Sequence, residues 1–135
     1  MANNLVHLKI LTPHGIKFDQ DIRMVELKTM EGYIGLMCNH VPFVAPLSAN
    51  VIYITHENKN RESGVLNSGT VYATKNEIKI FAFNFVLTKD IDVAKVAARK
   101  KMLEQQLSRI NDLTETTKIE KLLAYEILKL KQVQK

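Results

Sequence analysis

At 135 residues the chain has room for one domain of ordinary size, or a small one with an appendage. Its net charge is +5, and residues 89–135 carry 11 Lys/Arg against 7 Asp/Glu while residues 1–88 carry 8 against 7, so an acidic partner is expected to meet the tail first. One cysteine excludes an intrachain disulfide, no apolar run approaches the roughly 20 residues of a spanning helix, and the N-terminus shows neither a signal-peptide core nor an Arg-rich leader, so a soluble chain is expected that reaches a membrane only through other subunits.

Residues 5–11 alternate with period two, Val6, Leu8 and Ile10 against His7 and Lys9, which predicts a half-buried strand. Thr12-Pro13-His14-Gly15 is a turn, because Pro presets φ and Gly admits a left-handed position. The alternation resumes at Ile16 to Phe18 and from Ile22 to Thr29, with Asp19-Gln20-Asp21 predicted as an interruption. Residues 31–47 then hold two of the five glycines, two of the three prolines, the only cysteine and one of the four histidines, and are expected to form a shaped turn between strands.

Val51 to Thr55 is β-branched or aromatic throughout and closes at Asn58-Lys59-Asn60. Residues 65–73 predict a strand in which Gly69 marks a bulge or a close backbone approach. After Thr74 to Glu77, the stretch Ile78 to Leu87 alternates again, with Ile78, Ile80, Ala82 and Asn84 opposite Phe81, Phe83, Phe85 and Leu87. Short strands at close spacing indicate a sandwich or barrel of about eighty residues.

From residue 88 the composition turns to strong helix formers. Thr88 and Asp90 are candidate N-caps for a helix over Ile91 to Asn111, in which Ala94, Ala97 and Ala98 would let a neighbouring helix approach closely. A polar link over 111–117 leads to a second helix, with Thr117 and Glu120 fitting a capping box and Ile119, Leu122, Leu123, Ile127 and Leu130 forming its apolar stripe. The pair predicts an antiparallel hairpin, so the fold class is α+β: a two-sheet antiparallel β-sandwich over 1–88, then a two-helix hairpin over 89–135.

Little in this sequence supports catalysis. Cys38 and His40 could share a face, but no oxyanion segment or third member accompanies them, and His7, His14, His40, His56 and Cys38 lack metal-ligand spacing. No phosphate-binding glycine loop is present. Arg99-Lys100-Lys101 is a basic run on a helix whose surroundings contain one aromatic, Tyr125, so nucleic acid is not expected. The alternative function is a free-standing module whose basic hairpin binds nucleic acid or an anionic surface.

Several stretches, in order and nearly end to end, resemble the epsilon subunit of F-type ATP synthases: Leu11 to Gly15, Glu31-Gly32-Tyr33, Gly35 to Pro42, Leu66 to Gly69, Ile78 to Ala82, and Asp90-Ile91-Asp92 with the alanine-rich turns. The resemblance implies a sandwich of about ten strands and a non-catalytic subunit of the rotor's central stalk, on the cytoplasmic face of a bacterial membrane, that couples proton flow to ATP synthesis. It implies contact with the ring of c subunits through Glu31, Gly32 and Tyr33, and with gamma near His40 and Pro42. It further implies that the hairpin, through Arg99, Lys100, Lys101, Lys118 and Lys121, meets the alpha/beta catalytic head and restrains hydrolysis. The family's ATP-binding motif is matched by Ile91, Asp92 and Lys95, but Lys95 replaces its arginine and Val96 its alanine, forfeiting a bidentate fork and adding bulk. No cofactor is therefore expected, with ATP the one regulatory ligand weighed. Cys38 stands where the family has proline, and Tyr33 where many members carry a charged residue.

Overall fold

The computed structural model describes residues 4–133. Eight strands occupy the first part: β1 (Val6–Thr12), β2 (Gly15–Ile22), β3 (Met24–Thr29), β4 (Gly32–Leu36), β5 (Phe43–Leu47), β6 (Asn50–Thr55), β7 (Arg61–Ala73) and β8 (Glu77–Leu87). A 3-10 turn at Thr88–Asp90 precedes α1 (Val93–Arg109) and α2 (Leu113–Val133). The chain divides at Leu87/Thr88 into two compact units, a β-sandwich and a helical hairpin.

Hydrogen bonding in the sandwich is continuous, in the order β2-β1-β8-β7-β6-β3-β4, with β5 added on β7. One sheet becomes two layers because β7 and β8 each serve both. Residues 61–66 of β7 pair with β6 and residues 69–73 pair with β5, while β8 follows β7 from Gly64 to Ala73. The buried face switches along the way. Val71 and Ala73 of β7 enter the core at odd positions but Leu66 at an even one, and Ile78, Ile80 and Ala82 of β8 give way to Phe85.

The switch falls at the cross-strand pair Asn67 and Asn84. Each Oδ1 accepts a hydrogen bond from the N–H of the next residue, Ser68 (3.0 Å) and Phe85 (2.9 Å), which supplies the partner a bent ladder withholds. A single core then gathers Leu8 and Ile10 of β1, Phe18 and Ile22 of β2, Val25 and Leu27 of β3, and Ile52 and Ile54 of β6. Their burial from the two ends of one strand order closes the sandwich.

Several expectations are corrected by tertiary context. Eight strands form among the described residues, where about ten were expected. One pair in the sandwich, β1 on β8, is parallel, since the first and last strands of the unit meet side by side. Asp19-Gln20-Asp21 does not interrupt β2, because His7 on β1 reaches both carboxylates: Nδ1 to Asp21 Oδ1 at 2.7 Å and Nε2 to Asp19 Oδ1 at 2.5 Å. Residues 31–47 are two strands joined by a six-residue loop rather than one turn. Pro46 is tolerated because β5 is an edge strand with β7 its sole neighbour.

The helices start later and earlier than expected, respectively. α1 begins at Val93, since Asp92 takes extended dihedrals (φ −90°, ψ 103°) and its Oδ1 accepts from Lys95 N–H at 3.2 Å; neither Thr88 nor Asp90 is the cap. α2 begins at Leu113, with Asp112 Oδ1 accepting from Thr114 N–H at 2.9 Å. Thr117 lies inside the helix, its Oγ1 bonded back to the Leu113 carbonyl at 3.0 Å, so no capping box forms there. Val96 and Leu103 of α1 and Ile119 and Tyr125 of α2 are buried, whereas Ala94, Ala97 and Ala98 are exposed rather than forming a close helix contact.

The His7 clasp has a pH signature. Hydrogen bonds to Asp21 and then Asp19 favour the imidazolium and raise its pKa above 6.5. A raised folded pKa contributes stability that is complete below pH 6.5 and is lost as pH climbs through the folded value. NMR titration of His7 should therefore give a midpoint above 6.5, and His7→Gln should flatten the decline in urea stability over that window; a midpoint at or below 6.5 contradicts it.

Candidate functional site

The β3–β4 turn is built from Thr29-Met30-Glu31-Gly32. Gly32 sits at φ +111°, a left-handed value suited to glycine. Thr29 Oγ1 donates to the Gly32 carbonyl (3.2 Å) and accepts from Glu31 N–H (3.2 Å). The β1–β2 turn repeats the device with Thr12 and Gly15, at 3.1 Å for both bonds.

This brings Glu31 to an exposed tip beside Met30, which is 91% exposed. Tyr33 is placed differently. Its hydroxyl donates to the Val51 carbonyl at 3.1 Å, its ring lies 6.3 Å from that of Tyr53, and Arg61 covers Tyr53 at 4.4 Å while pairing with Glu26 at 3.0 Å. Burial pushes the Tyr33 phenol up from 10.0, with Tyr53 and Glu26 adding to the shift. Tyr33 is therefore anchored at its polar end and offers a ring edge outward. The sequence reading missed Met30, whose only signal was an apolar residue next to the glycine of a hairpin tip.

The loop between β4 and β5 carries His40 and Pro42. Asn39 takes φ +64° and its N–H reaches the Lys75 carbonyl at 2.9 Å, tying the loop to the β7–β8 turn. The His40 Nδ1 lies 3.0 Å from the Val41 carbonyl. Cys38 packs against the core and meets the Asn39 amide at 3.9 Å, a contact that does not involve His40. Val41 and Pro42 are exposed.

A third surface carries no sequence motif. Tyr72, Phe81, Phe83 and Val44 are 53%, 48%, 67% and 56% exposed, although three of them are large apolar or aromatic side chains on central strands. The registers place Leu11, Phe81, Thr70 and Pro46 in one row across β1, β8, β7 and β5, with Tyr72 opposite Val44 in the next. A groove of about 520 Å³ runs here, bordered by Leu11, Pro13, Thr70, Phe81 and Phe83. Its apolar walls and lack of convergent polar groups suit a protein surface better than a small molecule. The signal in the sequence was β8 itself, apolar on both of its alternating faces.

On the hairpin, Arg99 Nε pairs with Glu126 Oε1 across the two helices at 3.2 Å. Lys100 reaches Glu104 at 3.9 Å and Lys118 reaches Glu115 at 3.8 Å, exposed pairs that hold little energy and leave both lysines available. Lys101 and Lys121 are exposed. Asp92 is occupied as a helix cap, Lys95 is exposed, and Ile91 lies before the helix. Tyr125 is 2% exposed and lies under Lys129, so it offers no base-stacking platform and the nucleic-acid alternative loses its aromatic. Among the described residues no group of three or more His, Cys, Asp or Glu is arranged to hold a metal ion. No helix of the described residues is long and apolar enough to cross a membrane.

Comparison with known proteins places these features. Residues 5–88 match the family model described as ATP synthase, Delta/Epsilon chain, beta-sandwich domain. The chain is 38% identical over 128 residues to the ATP synthase epsilon chain of Mycoplasmoides gallisepticum, spanning 95% of this chain and 98% of that one. It is 38% identical to the epsilon chain of Mycoplasma pneumoniae, over 93% and 95% of the two chains. In fold it is similar to a chain of the Euglena gracilis mitochondrial ATP synthase OSCP/F1/c-ring structure, with TM-score 0.73, 17% identity, and 97% and 83% of the chains covered. A chain of the Tetrahymena thermophila mitochondrial ATP synthase central stalk and c-ring structure gives TM-score 0.59 at 16% identity, over 95% and 96%.

Proposed function

Because this chain belongs to the ATP synthase delta/epsilon family, as a non-catalytic epsilon chain of that membrane-associated enzyme, we propose that it joins gamma to the c-ring in the rotor. In this role it couples proton flow to ATP synthesis at the cytoplasmic face of a bacterial membrane. The observation that supports this most is the exposed apolar patch of Phe81, Phe83, Tyr72 and Val44, three of them large side chains left facing outward on central strands. Gamma seats on that face and on the adjoining loop. Pro42 leads directly into β5, where Val44 stands opposite Tyr72, so His40, Pro42 and the patch form one continuous border.

The ring meets the β3–β4 turn at Glu31, Gly32 and Tyr33, with Met30 beside them. A two-residue tip closed by a left-handed glycine projects little bulk and gives up little conformational freedom on contact. The hairpin restrains ATP hydrolysis through its basic side chains, Arg99, Lys100, Lys101, Lys118 and Lys121, which face acidic segments of the alpha/beta head. Its excess of cations steers that encounter more than it tightens it.

A chain ending at Leu87 tests the assignment. Reconstituted with the remaining subunits, it should stay in the complex, since the sandwich has its own core, while the hydrolysis rate rises severalfold over that of the full chain. Loss of the truncated chain from the complex overturns the sandwich as the gripping part. An unaltered hydrolysis rate overturns the regulatory role.

A further inference from the structure

Among the described residues of α1 and α2, the buried ones are Val96, Leu103, Ile119, Tyr125 and Glu126, and Glu126 is the one charged side chain of that set. On α2, Ile119, Leu123 and Glu126 follow the three- and four-residue spacing of a single helix face, and Glu126 is 3% exposed where a leucine would continue the stripe. Its carboxylate faces two cations. Arg99 Nε on α1 lies 3.2 Å from Oε1, and Lys129 Nζ on α2 lies 3.0 Å from Oε2. Lys129 is held in place over the Tyr125 ring at 4.4 Å. Arg99, half of whose side chain is exposed, is the cross-helix partner, so this ion pair joins the two helices at mid-length.

We propose that Glu126 is the release point of the hairpin: a carboxylate built into the helix seam that sets the register of α1 on α2 through Arg99, and that exchanges this cross-helix ion pair for water when the helices part, keeping Lys129 as its partner within α2. The physical ground is the balance of a buried ion pair. Desolvation of Glu126 and Lys129, with Arg99 half exposed, offsets most of the attraction, so the closed pair gains specificity at little net stability compared with an apolar residue at the same place. An apolar residue would resist separation in proportion to the surface it exposes, whereas the carboxylate and Arg99 regain hydration. Parting also turns Arg99 from an internal partner into a cation that an acidic surface can take. This deepens, and rests on, the regulatory reading of the hairpin given above.

Hydrogen exchange on the full chain tests it, read at the amides of residues 96–107 and 119–130 with the sandwich strands as internal reference. Glu126→Gln, which keeps shape and an accepting oxygen but removes the charge, should speed exchange there by about tenfold or more and leave the sandwich unchanged. The charge swap Arg99→Glu with Glu126→Arg should recover part of the loss. The apolar pair Glu126→Leu with Lys129→Met should slow exchange by about threefold or more, because packing then replaces a break-even contact. If Glu126→Gln changes nothing, or if the apolar pair loosens the hairpin as Gln does, Glu126 is not a release point. Should the exchange results hold while none of these variants alters hydrolysis in the assembled enzyme, the release point stands and the regulatory reading falls.

Discussion

Gly69→Ala is expected to lower the stability of the sandwich by about 3 kcal/mol, the upper part of the range for overpacking a filled site. A Cβ built on Gly69 meets the Phe81 carbonyl oxygen at 2.0 Å, the Ala82 Cα at 2.9 Å and the Phe81 carbonyl carbon at 3.0 Å. All three are backbone atoms, so no rotamer change relieves the clash, and β7 and β8 must separate just past the corner where both change layers. A domain of this size has about 5–15 kcal/mol in total, so the loss is a large share of the whole. Urea unfolding of the purified chain should show the midpoint falling with an unchanged slope. A midpoint within error of the original would mean that β7 and β8 are less tightly apposed at Gly69 than the geometry states.

The double substitution Phe81→Ser and Phe83→Ser is expected to weaken retention in the ATP synthase stalk by about a thousandfold, since each aromatic anchor removed from the centre of an interface costs about 2 kcal/mol. Both rings point away from the core, at 48% and 67% exposed, so the isolated chain should keep its unfolding free energy in urea within about 1 kcal/mol. Leu113→Ser, at an exposed position of α2, serves as a control that should leave retention alone. Binding that survives the double substitution would move the proposed gamma contact away from this face, toward the loop of His40 and Pro42.

How far these sites were legible in the residues differs from one to the next. The Thr29–Gly32 turn was legible only in part: the glycines of residues 31–47 mark a turn, but the reversal itself falls at Thr29–Gly32, where Gly32 takes the left-handed position and the Thr29 hydroxyl closes on its carbonyl. Tyr33 belongs to the resembled turn motif, while its hydroxyl bonds to Val51, eighteen positions on, which no local pattern announces. Among the basic residues of the tail, Arg99 looked no different from Lys101. One is bound to a buried carboxylate on the other helix and the other is in water.

The division into a strand-rich body and a two-helix tail, the positions of most strands, and the pairing of the helices were determined by the sequence alone, because period-two and period-3.6 patterns are properties of neighbours along the chain. Which strand lies beside which was decided only in three dimensions: β1 parallel to β8, β7 shared by β5 and β6, and the change of buried face at Asn67 and Asn84. The same holds for the start of α1, where Thr88 and Asp90 carry capping side chains but the path of the chain selects Asp92. It holds also for Phe81 and Glu126, an aromatic left outside and a carboxylate drawn inside. Burial depends on what packs from distant parts of the chain, and that is set by the summed packing of the whole rather than by any residue's own preference.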